Sequence, residues 1–580
     1  MGAGMERKQG RAWGVLGYAS ALIGALLARP AGARIADDMV HPAWEVKEIP
    51  MPAKYRSMGL GFLPDGKMVL ATGYVEDGKT DPGDESNILI VSGVTDPAMD
   101  NIKVANVGTR YINPSGVVIV GSTIYVSDRD AFYQVLDNAA TSPTGNRKKI
   151  LAWPWGMKWH QWVFCPMYLQ GKFYAPYSGS IVGGGPSNTD PSSEYSGAFL
   201  KWDLAGNLEK FAGGLRSPNG ANIDPDGNMM VADNQGSWLP SSTLAMMKPG
   251  KFYGHKQSPP FKPNFAETLP YEPPVAWYPH GDVRSSPGQP IYVPTGTYKG
   301  QWLQGDCNGN GLLRVALDKV NGSSQGAVFW FSNGMKNSAI NRLAWGPDGS
   351  LYIATVEHMG NWPGQGEMPM YRMSPKAGGK AFEMLAIRSI KDGFDVEFTE
   401  AVDKATVSQA SFALKQWQYV RQSGYGEGKG TEQTRAVTSA SVSADGKVVS
   451  IKVTGLVIDR LTYFKLGAIK SATGGSLFDN EAWYTMNQMN GEATSIAARP
   501  SRDPDWAGRV QYGREPGHGW WAEIGLAGAY TVSLRDLDGK VVKILSGSGP
   551  GRFRLDAAVP GLYLMDVSQG GHSFVRKLAL

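Results

Sequence analysis

One pattern constrains this chain more than any other: a tight turn that runs into a short apolar strand, repeated at a nearly even interval. It occurs at Leu63-Pro64-Asp65-Gly66-Lys67-Met68-Val69-Leu70, Asn113-Pro114-Ser115-Gly116-Val117 and Leu169-Gln170-Gly171-Lys172-Phe173-Tyr174. It returns at Asp224-Pro225-Asp226-Gly227-Asn228-Met229, Ser286-Pro287-Gly288-Gln289-Pro290-Ile291-Tyr292 and Gly346-Pro347-Asp348-Gly349-Ser350-Leu351-Tyr352. Proline presets φ for a turn and glycine accepts positive φ, so each copy has a physical reason to reverse the chain. The interval is roughly 50–60 residues, and a period of that size with several strands per unit marks a β-propeller. Six units predict a six-bladed propeller over residues 45–380, in which neighbouring blades cover each other's faces.

The composition agrees with a turn-rich β protein. The 580 residues include 74 glycines and 37 prolines, spread along the chain, and only 19% are charged, which excludes a coiled coil or a disordered chain. The net charge of +5 comes with no basic stripe interleaved with aromatics, so nucleic acid is not an expected partner. Cys165 and Cys307 are the two cysteines and neither lies in a CxxC, which disfavours a zinc site or covalent haem; one disulfide and two buried thiols are both open.

Beyond Pro375 the texture changes. Residues 381–489 alternate as short strands, for example Phe394-Asp395-Val396-Glu397-Phe398 and Val448-Val449-Ser450-Ile451-Lys452-Val453, and predict an immunoglobulin-like β-sandwich. Residues 490–516 are polar with prolines and read as a linker, and residues 517–580 return to strands as a small C-terminal β-sandwich. The expected fold class is therefore all-β in three parts. At the other end, Arg7, Lys8 and Arg11 precede an apolar run from Trp13 to Ala28, and Ala31-Gly32-Ala33 is a small-x-small cleavage site. That layout predicts a signal peptide over residues 1–33, a mature chain starting near Arg34, and no stable membrane span, because no later stretch reaches the ~18 apolar residues a span needs.

Function is expected in the loops of a rigid scaffold. In Trp153-Pro154-Trp155-Gly156-Met157-Lys158-Trp159-His160-Gln161-Trp162, indoles crowd a histidine: Trp159 and Trp162 can stack on a sugar ring, and His160 can act as a base near neutral pH. In Arg216-Ser217-Pro218-Asn219-Gly220 a guanidinium suited to a carboxylate sits among glycines, followed by Asp233-Asn234-Gln235-Gly236-Ser237, whose side chains can bond a ligand and whose carbonyls can face Ca²⁺. Arg342 precedes the last Pro-Asp-Gly turn and can point down a propeller channel or sit at a blade edge.

Together these stretches resemble the soluble pyrroloquinoline quinone (PQQ)-dependent glucose/sorbosone dehydrogenase family. That family carries His-Gln about eleven residues before a turn glycine, as His160-Gln161 precede Gly171, then Arg-Asn-Pro-Gln-Gly against Arg216-Ser217-Pro218-Asn219-Gly220, then Gln-Gly-Pro against Gln235-Gly236-Ser237. Residues 232–242, Ala-Asp-Asn-Gln-Gly-Ser-Trp-Leu-Pro-Ser-Ser, look closer still to large secreted propellers that often carry an immunoglobulin-like module. The resemblance implies a quinone-dependent sugar dehydrogenase that passes electrons to an external acceptor. His160 would be its base, with Arg216, Asn219, Gln235 and Arg342 on the PQQ and the Gly236 and Ser237 carbonyls on Ca²⁺. The sequence departs from the family at Ser217, near Gly309 where a cofactor lysine is expected, and near Gly179 where an acid orients the histidine. The tail, with Asp538-Gly539, Gly561-Leu562-Tyr563-Leu564 and Lys577, resembles the C-terminal sorting domain of type IX secretion, which implies export machinery as a partner and a secreted or cell-surface protein. Two other readings stand beside the dehydrogenase: a polysaccharide lyase using His160 with Arg216 or Tyr168 on a uronate, and a non-catalytic propeller that binds a glycan or a protein.

Overall fold

The structure is a computed structural model. It describes residues 39–73, 86–137, 144–155, 161–179, 193–256, 271–283, 286–307, 311–335, 339–356, 368–426, 428–490, 510–515, 519–536, 541–555, 562–569 and 572–579. The chain is all-β, and among the described residues its only helical turns are two short 3-10 segments, Lys404–Thr406 and Gln409–Ser411.

Through residues 44–375, among the described residues, six four-stranded antiparallel units follow one another. Their first strands are Ser57–Phe62, Gly116–Val120, Met167–Leu169, Pro218–Ile223, Pro287–Tyr292 and Ala339–Trp345. Each of these touches the first strand of the next unit, and the last touches the first, so the units close into a ring: a β-propeller. The second strands read as continuous apolar runs, Met68-Val69-Leu70-Ala71-Thr72 and Met229-Met230-Val231-Ala232-Asp233, because both faces of each blade are covered by neighbours. The ring is latched by sequence-distant strands. Trp44–Ile49 pairs with Met370–Pro375, with Trp44 opposite Pro375 and Ile49 opposite Met370, and becomes the outer strand of the last blade.

Near the axis the first strands approach closely at glycines. A Cβ on Gly220 would lie 2.3 Å from the Gln289 Cα, and one on Gly288 2.6 Å from the Ile340 carbonyl oxygen, so these contacts from blade four to five and from five to six admit no side chain. The recurring turns fall at two places. Those ending at Gly66, Gly171, Gly227 and Gly349, all with positive φ between 75° and 87°, join first to second strands. Asn113-Pro114-Ser115 and Ser286 instead enter the first strands of blades two and five. Both kinds abut the innermost strand, so the interval survives although the turns differ.

The sandwich is continuous with the ring. Its strands Met384–Ile390, Gly393–Phe398, Val448–Val453 and Val437–Val442 form one sheet. The other holds Gln433–Arg435, Phe412–Trp417, Arg460–Leu466 and Glu481–Met486, and Glu481–Met486 pairs with Ser323–Ser332 of blade five, making one eight-stranded sheet. Ala316, Ala327 and Phe329 of that blade share a core with Phe394, Ile451 and Phe464 of the sandwich. Sequence periodicity separated the two regions because each strand alternates locally; the hydrogen bonds that fuse them span some 160 positions. In the C-terminal region Val510–Glu515, Gly519–Ile524 and Gly551–Leu555 form one sheet, and Val541–Ser548, Ala529–Asp536, Leu562–Gln569 and His572–Ala579 the other. Val510–Glu515 falls inside the stretch read as linker; it is a polar strand, which composition alone reads as loop.

Candidate functional site

In an antiparallel blade the start of the first strand and the end of the second lie at the same edge. The loops into the first strands and those between second and third strands therefore gather on one face, the mouth. Arg216 to Asn219, Gln235 to Ser237 and Trp162 belong to those positions, and Arg342 lies just inside the first strand of blade six, opposite Ala354.

Three buried carboxylates fix the mouth loops, and sequence reading singled out only one of them. Asp233 accepts the Arg216 and Ser217 N–H groups at 2.8 and 2.7 Å. Asp128 does the same for Ile112 and Asn113 at 2.9 and 2.7 Å, and Asp306 accepts Ser286 N–H at 3.2 Å. Each ends, or directly follows, a second strand and captures the loop entering the first strand of its own blade. Burial pushes Asp128 and Asp233 up to about 6, against the backbone donors that pull them down. Asp233 thus orients Arg216 through its backbone rather than facing a ligand.

Arg342 closes the centre. It is fully buried, and its Nε donates to Met58 O at 2.7 Å and its Nη1 to Asn341 Oδ1 at 2.6 Å. Nη2 reaches Ser115 O and Asn219 Oδ1, both at 3.4 Å. Its guanidinium also lies 5.6 Å from the Phe164 ring centre. A buried cation left unsatisfied costs several kcal/mol, so this saturation is what permits it. Asn219 completes the knot by donating to Cys307 Sγ at 2.8 Å and Asn341 Oδ1 at 3.2 Å. The cysteines are two free, buried thiols, with Cys165 Sγ 3.9 Å from Asn219 O and Cys307 pushed up to about 12 by burial. The structure thus places Asn219 and Arg342, from blades four and six, in direct contact.

Arg216 sits differently. It is 2% exposed, burial lowers its pKa, and its Nη1 reaches Asn234 O at 3.5 Å. A Cβ on Gly236 would be 1.9 Å from its Nε, so the guanidinium lies flat on the Gly236 backbone. Its other side is covered by Tyr425 of the sandwich, with the ring centre 5.0 Å away. Ser237 forms an isolated antiparallel bridge with Tyr425, and the Gly426 N–H donates to Gly236 O at 3.4 Å. Gln235 is buried; its Nε2 lies 3.3 Å from His280 Nε2, while its Oε1 has no partner. His280, on the loop into blade five, is an exposed residue whose ring is partly desolvated by its neighbours, which lowers its pKa.

Sequence reading missed His280 and Tyr425. The signals were present: in chain order Pro279-His280-Gly281-Asp282 precedes the first strand of blade five as His160-Gln161 precedes that of blade three, and Gly424-Tyr425-Gly426 is a glycine-flanked aromatic. Trp162, expected at a rim, is 3% exposed and packs on Phe164, with the Arg129 guanidinium 5.5 Å from its ring centre. An indole this well matched to apolar neighbours is worth more inside than out. Tyr168 packs on Phe173 and lies on the first strand of blade three, beside its hairpin turn rather than among the mouth loops. Trp159 and His160 lie outside the described residues, as does Gly309.

A quinone with three carboxylates and a calcium ion need free donors and free carbonyls. Arg342 and Asn219 spend theirs on Met58, Ser115, Asn341, Cys307 and each other, and the Gly236 carbonyl and Ser237 are engaged by Gly426 and Tyr425. As placed, this set does not fit PQQ and Ca²⁺, and no three His, Cys, Asp or Glu among the described residues cluster as a metal site. No helix among the described residues is long and apolar enough to cross a membrane.

No protein-family model matches the chain, and no curated protein matches it. Among solved structures it is similar to the PQQ-bound aldose sugar dehydrogenase of Streptomyces coelicolor, at 15% identity and a TM-score of 0.42 over 58% of this chain and 99% of that one. It is similar to the soluble aldose sugar dehydrogenase of Escherichia coli at 13% and 0.41 over 57% and 100%, and to the pyranose dehydrogenase PQQ domain of Coprinopsis cinerea at 12% and 0.40 over 60% and 99%. Similarity at this level assigns no chemistry to the chain.

Proposed function

We propose that this protein is an exported carbohydrate-active β-propeller that takes a sugar ring on its mouth face. The observation that carries this reading is the gathering of Arg216, Gln235 and His280, from separate loops, into one partly open polar corner beside an aromatic ring. Polar groups converging beside an aromatic surface are the usual make-up of a small-ligand site. Oxidation of a sugar hydroxyl is the activity we assign, with the hydroxyl proton passing to His160 and the hydride to an electron acceptor supplied from outside the chain; a glycan-binding propeller without turnover is the second reading, favoured by the occupied donors of Asn219 and Arg342. We further read the sandwich as immunoglobulin-like, residues 1–33 as a cleaved export signal, and the tail as a type IX sorting domain.

The test adds PQQ, Ca²⁺, a sugar panel and a redox dye to the purified protein. Dye reduction that disappears in His160→Ala supports the oxidation. Sugar binding without dye reduction supports the binding propeller, and a wild type that binds no sugar ends the carbohydrate reading. N-terminal sequencing of the exported chain should begin near Arg34.

A further inference from the structure

Away from the mouth, one buried cluster joins three parts of the molecule that lie far apart in the chain. His41, on the segment leading into the latch strand Trp44–Ile49, is fully buried between blade five and the sandwich. Its ring stacks on Phe331 at 4.6 Å and meets Tyr298 and Phe478 edge-on at 5.7 and 4.9 Å. Its backbone N–H donates to Ser332 Oγ at 3.1 Å, and Asn333 N–H donates to Met39 O at 2.9 Å. Nδ1 accepts the Ala43 N–H at 3.1 Å, so the ring proton sits on Nε2, which faces Glu383 Oε1 at 3.3 Å and the Tyr298 hydroxyl at 3.1 Å. Glu383 directly precedes the first sandwich strand, Met384–Ile390, and is buried. Tyr298 donates its hydroxyl proton to Glu383 Oε1, and Arg314 Nη2 lies 3.6 Å from Oε2. Arg314 of blade five is fully buried as well, and donates to Gln301 Oε1 and Met384 O, both at 2.6 Å, and to Leu385 O at 2.8 Å. One carboxylate thus holds the latch segment, blade five and the sandwich together.

The charge on that carboxylate decides how firmly the cluster holds. Burial raises the Glu383 pKa, but the Arg314 charge and the bonds from His41 and Tyr298 outweigh it and leave it below the usual carboxylate range. Asp479, on the loop into Glu481–Met486, is the other acid near it. Burial holds the Asp479 pKa well above its usual value and the charges of Glu481 and Glu383 raise it further, so Glu383 is the acid that changes charge as the pH falls. A carboxylate held below its unfolded value contributes stability above that value and loses it as pH falls through the folded one. Once Glu383 takes up a proton, Arg314 is a buried charge without its counter-ion, and His41 and Tyr298 lose the anion they donate to. We propose that this cluster is an acid-released buckle, which fastens the latch strand of the ring to the sandwich near neutral pH and lets go in acid. The latch is the element placed to respond. Trp44–Ile49 is the outer strand of its blade, hydrogen-bonded on one side only, to Met370–Pro375, and it begins three residues after His41. The inner strands of the other blades are paired and packed without help from the cluster, so they should keep their protection when the buckle opens.

The experiment follows hydrogen exchange of the full-length protein by mass spectrometry in steps from pH 5 to pH 3, with each strand's protection taken relative to the unfolded chain at the same pH. Protection of Trp44–Ile49 and Met384–Ile390 is expected to fall together by about tenfold or more, while Gly116–Val120 and Met229–Asp233 in blades two and four change by less than about threefold. Glu383→Gln keeps the side-chain shape but cannot ionise. It should show the weakened latch already at pH 5 and lose less than about threefold more by pH 3. Tyr298→Phe removes one donor to the carboxylate and should move the midpoint of latch release up by about half a pH unit or more. A latch as well protected at pH 3 as at pH 5 overturns the buckle, and so does loss of protection in latch and blades as a single step. A Glu383→Gln protein with the pH dependence of wild type overturns it as well; if that variant does not fold, an unmoved midpoint in Tyr298→Phe overturns it in its place.

Discussion

Two buried arginines lie on the same face and are held in opposite ways. Arg342 is fixed by carbonyls and amides of three other blades, drawn from residues 58, 115 and 219, and nothing in its surroundings leaves room for change. Arg216 is fixed between the Gly236 backbone and a tyrosine that another module lends. The first arrangement ties the ring together. The second buries a charge only as long as the sandwich loop stays in place. Family resemblance gave both arginines the same role; their partners separate them.

The contrast can be broken by substitution, and the largest effect should come from Arg342. Arg342→Ala removes a donor from the Met58 carbonyl, Asn341 and Asn219, leaves a cavity at the centre of the ring, and should cost ~3–5 kcal/mol in urea unfolding. An Arg342→Ala protein as stable as wild type would show that the ring does not need this tie. Next is Asp233→Asn. The Asp233 carboxyl stands at about 6 in the folded chain, above the ~3.9 of an unfolded one, so its contribution is fully present below pH 4 and lost as pH rises through 6. The stability advantage of wild type over Asp233→Asn should therefore shrink by roughly 2–3 kcal/mol between pH 4 and pH 7. A constant difference across that window would remove the burial argument. Gly236→Ala should follow, since the new methyl occupies the Arg216 guanidinium position; a loss of ~1–3 kcal/mol is expected. Tyr425→Phe should be smallest, within ~1 kcal/mol of wild type, because the ring over Arg216 is kept and only a hydroxyl of an exposed residue is lost.

The propeller was legible because its cause is local. Pro-Asp-Gly turns and apolar second strands are written in consecutive residues, and their interval follows from the blade. The candidate site was half legible. Arg216, Asn219 and Gln235 stand in recognisable loops, and the mouth gathers them. What the sequence could not give was who satisfies whom. That Asn219 serves Cys307 and Arg342, that Asp233 serves backbone amides, and that Tyr425 reaches across from the sandwich are facts of long-range packing. Trp162 shows the same limit from the other side, since an indole in a polar loop reads as a rim residue until its neighbours are known.

The shared eight-stranded sheet also sets an order of events. A chain that emerges from its N-terminus first makes Trp44–Ile49, which has no partner until Met370–Pro375 arrives, and then Ser323–Ser332, whose outer edge stays open until Glu481–Met486 is made. Closing loops this long is slow, and an unpaired strand edge invites association meanwhile. A fragment cut after residue 380 would close the ring at its latch and still present Ala327 and Phe329 without the sandwich that covers them. The apolar side of blade five is therefore covered only when the sandwich forms, and each of the two strand edges stays open until its late partner is made.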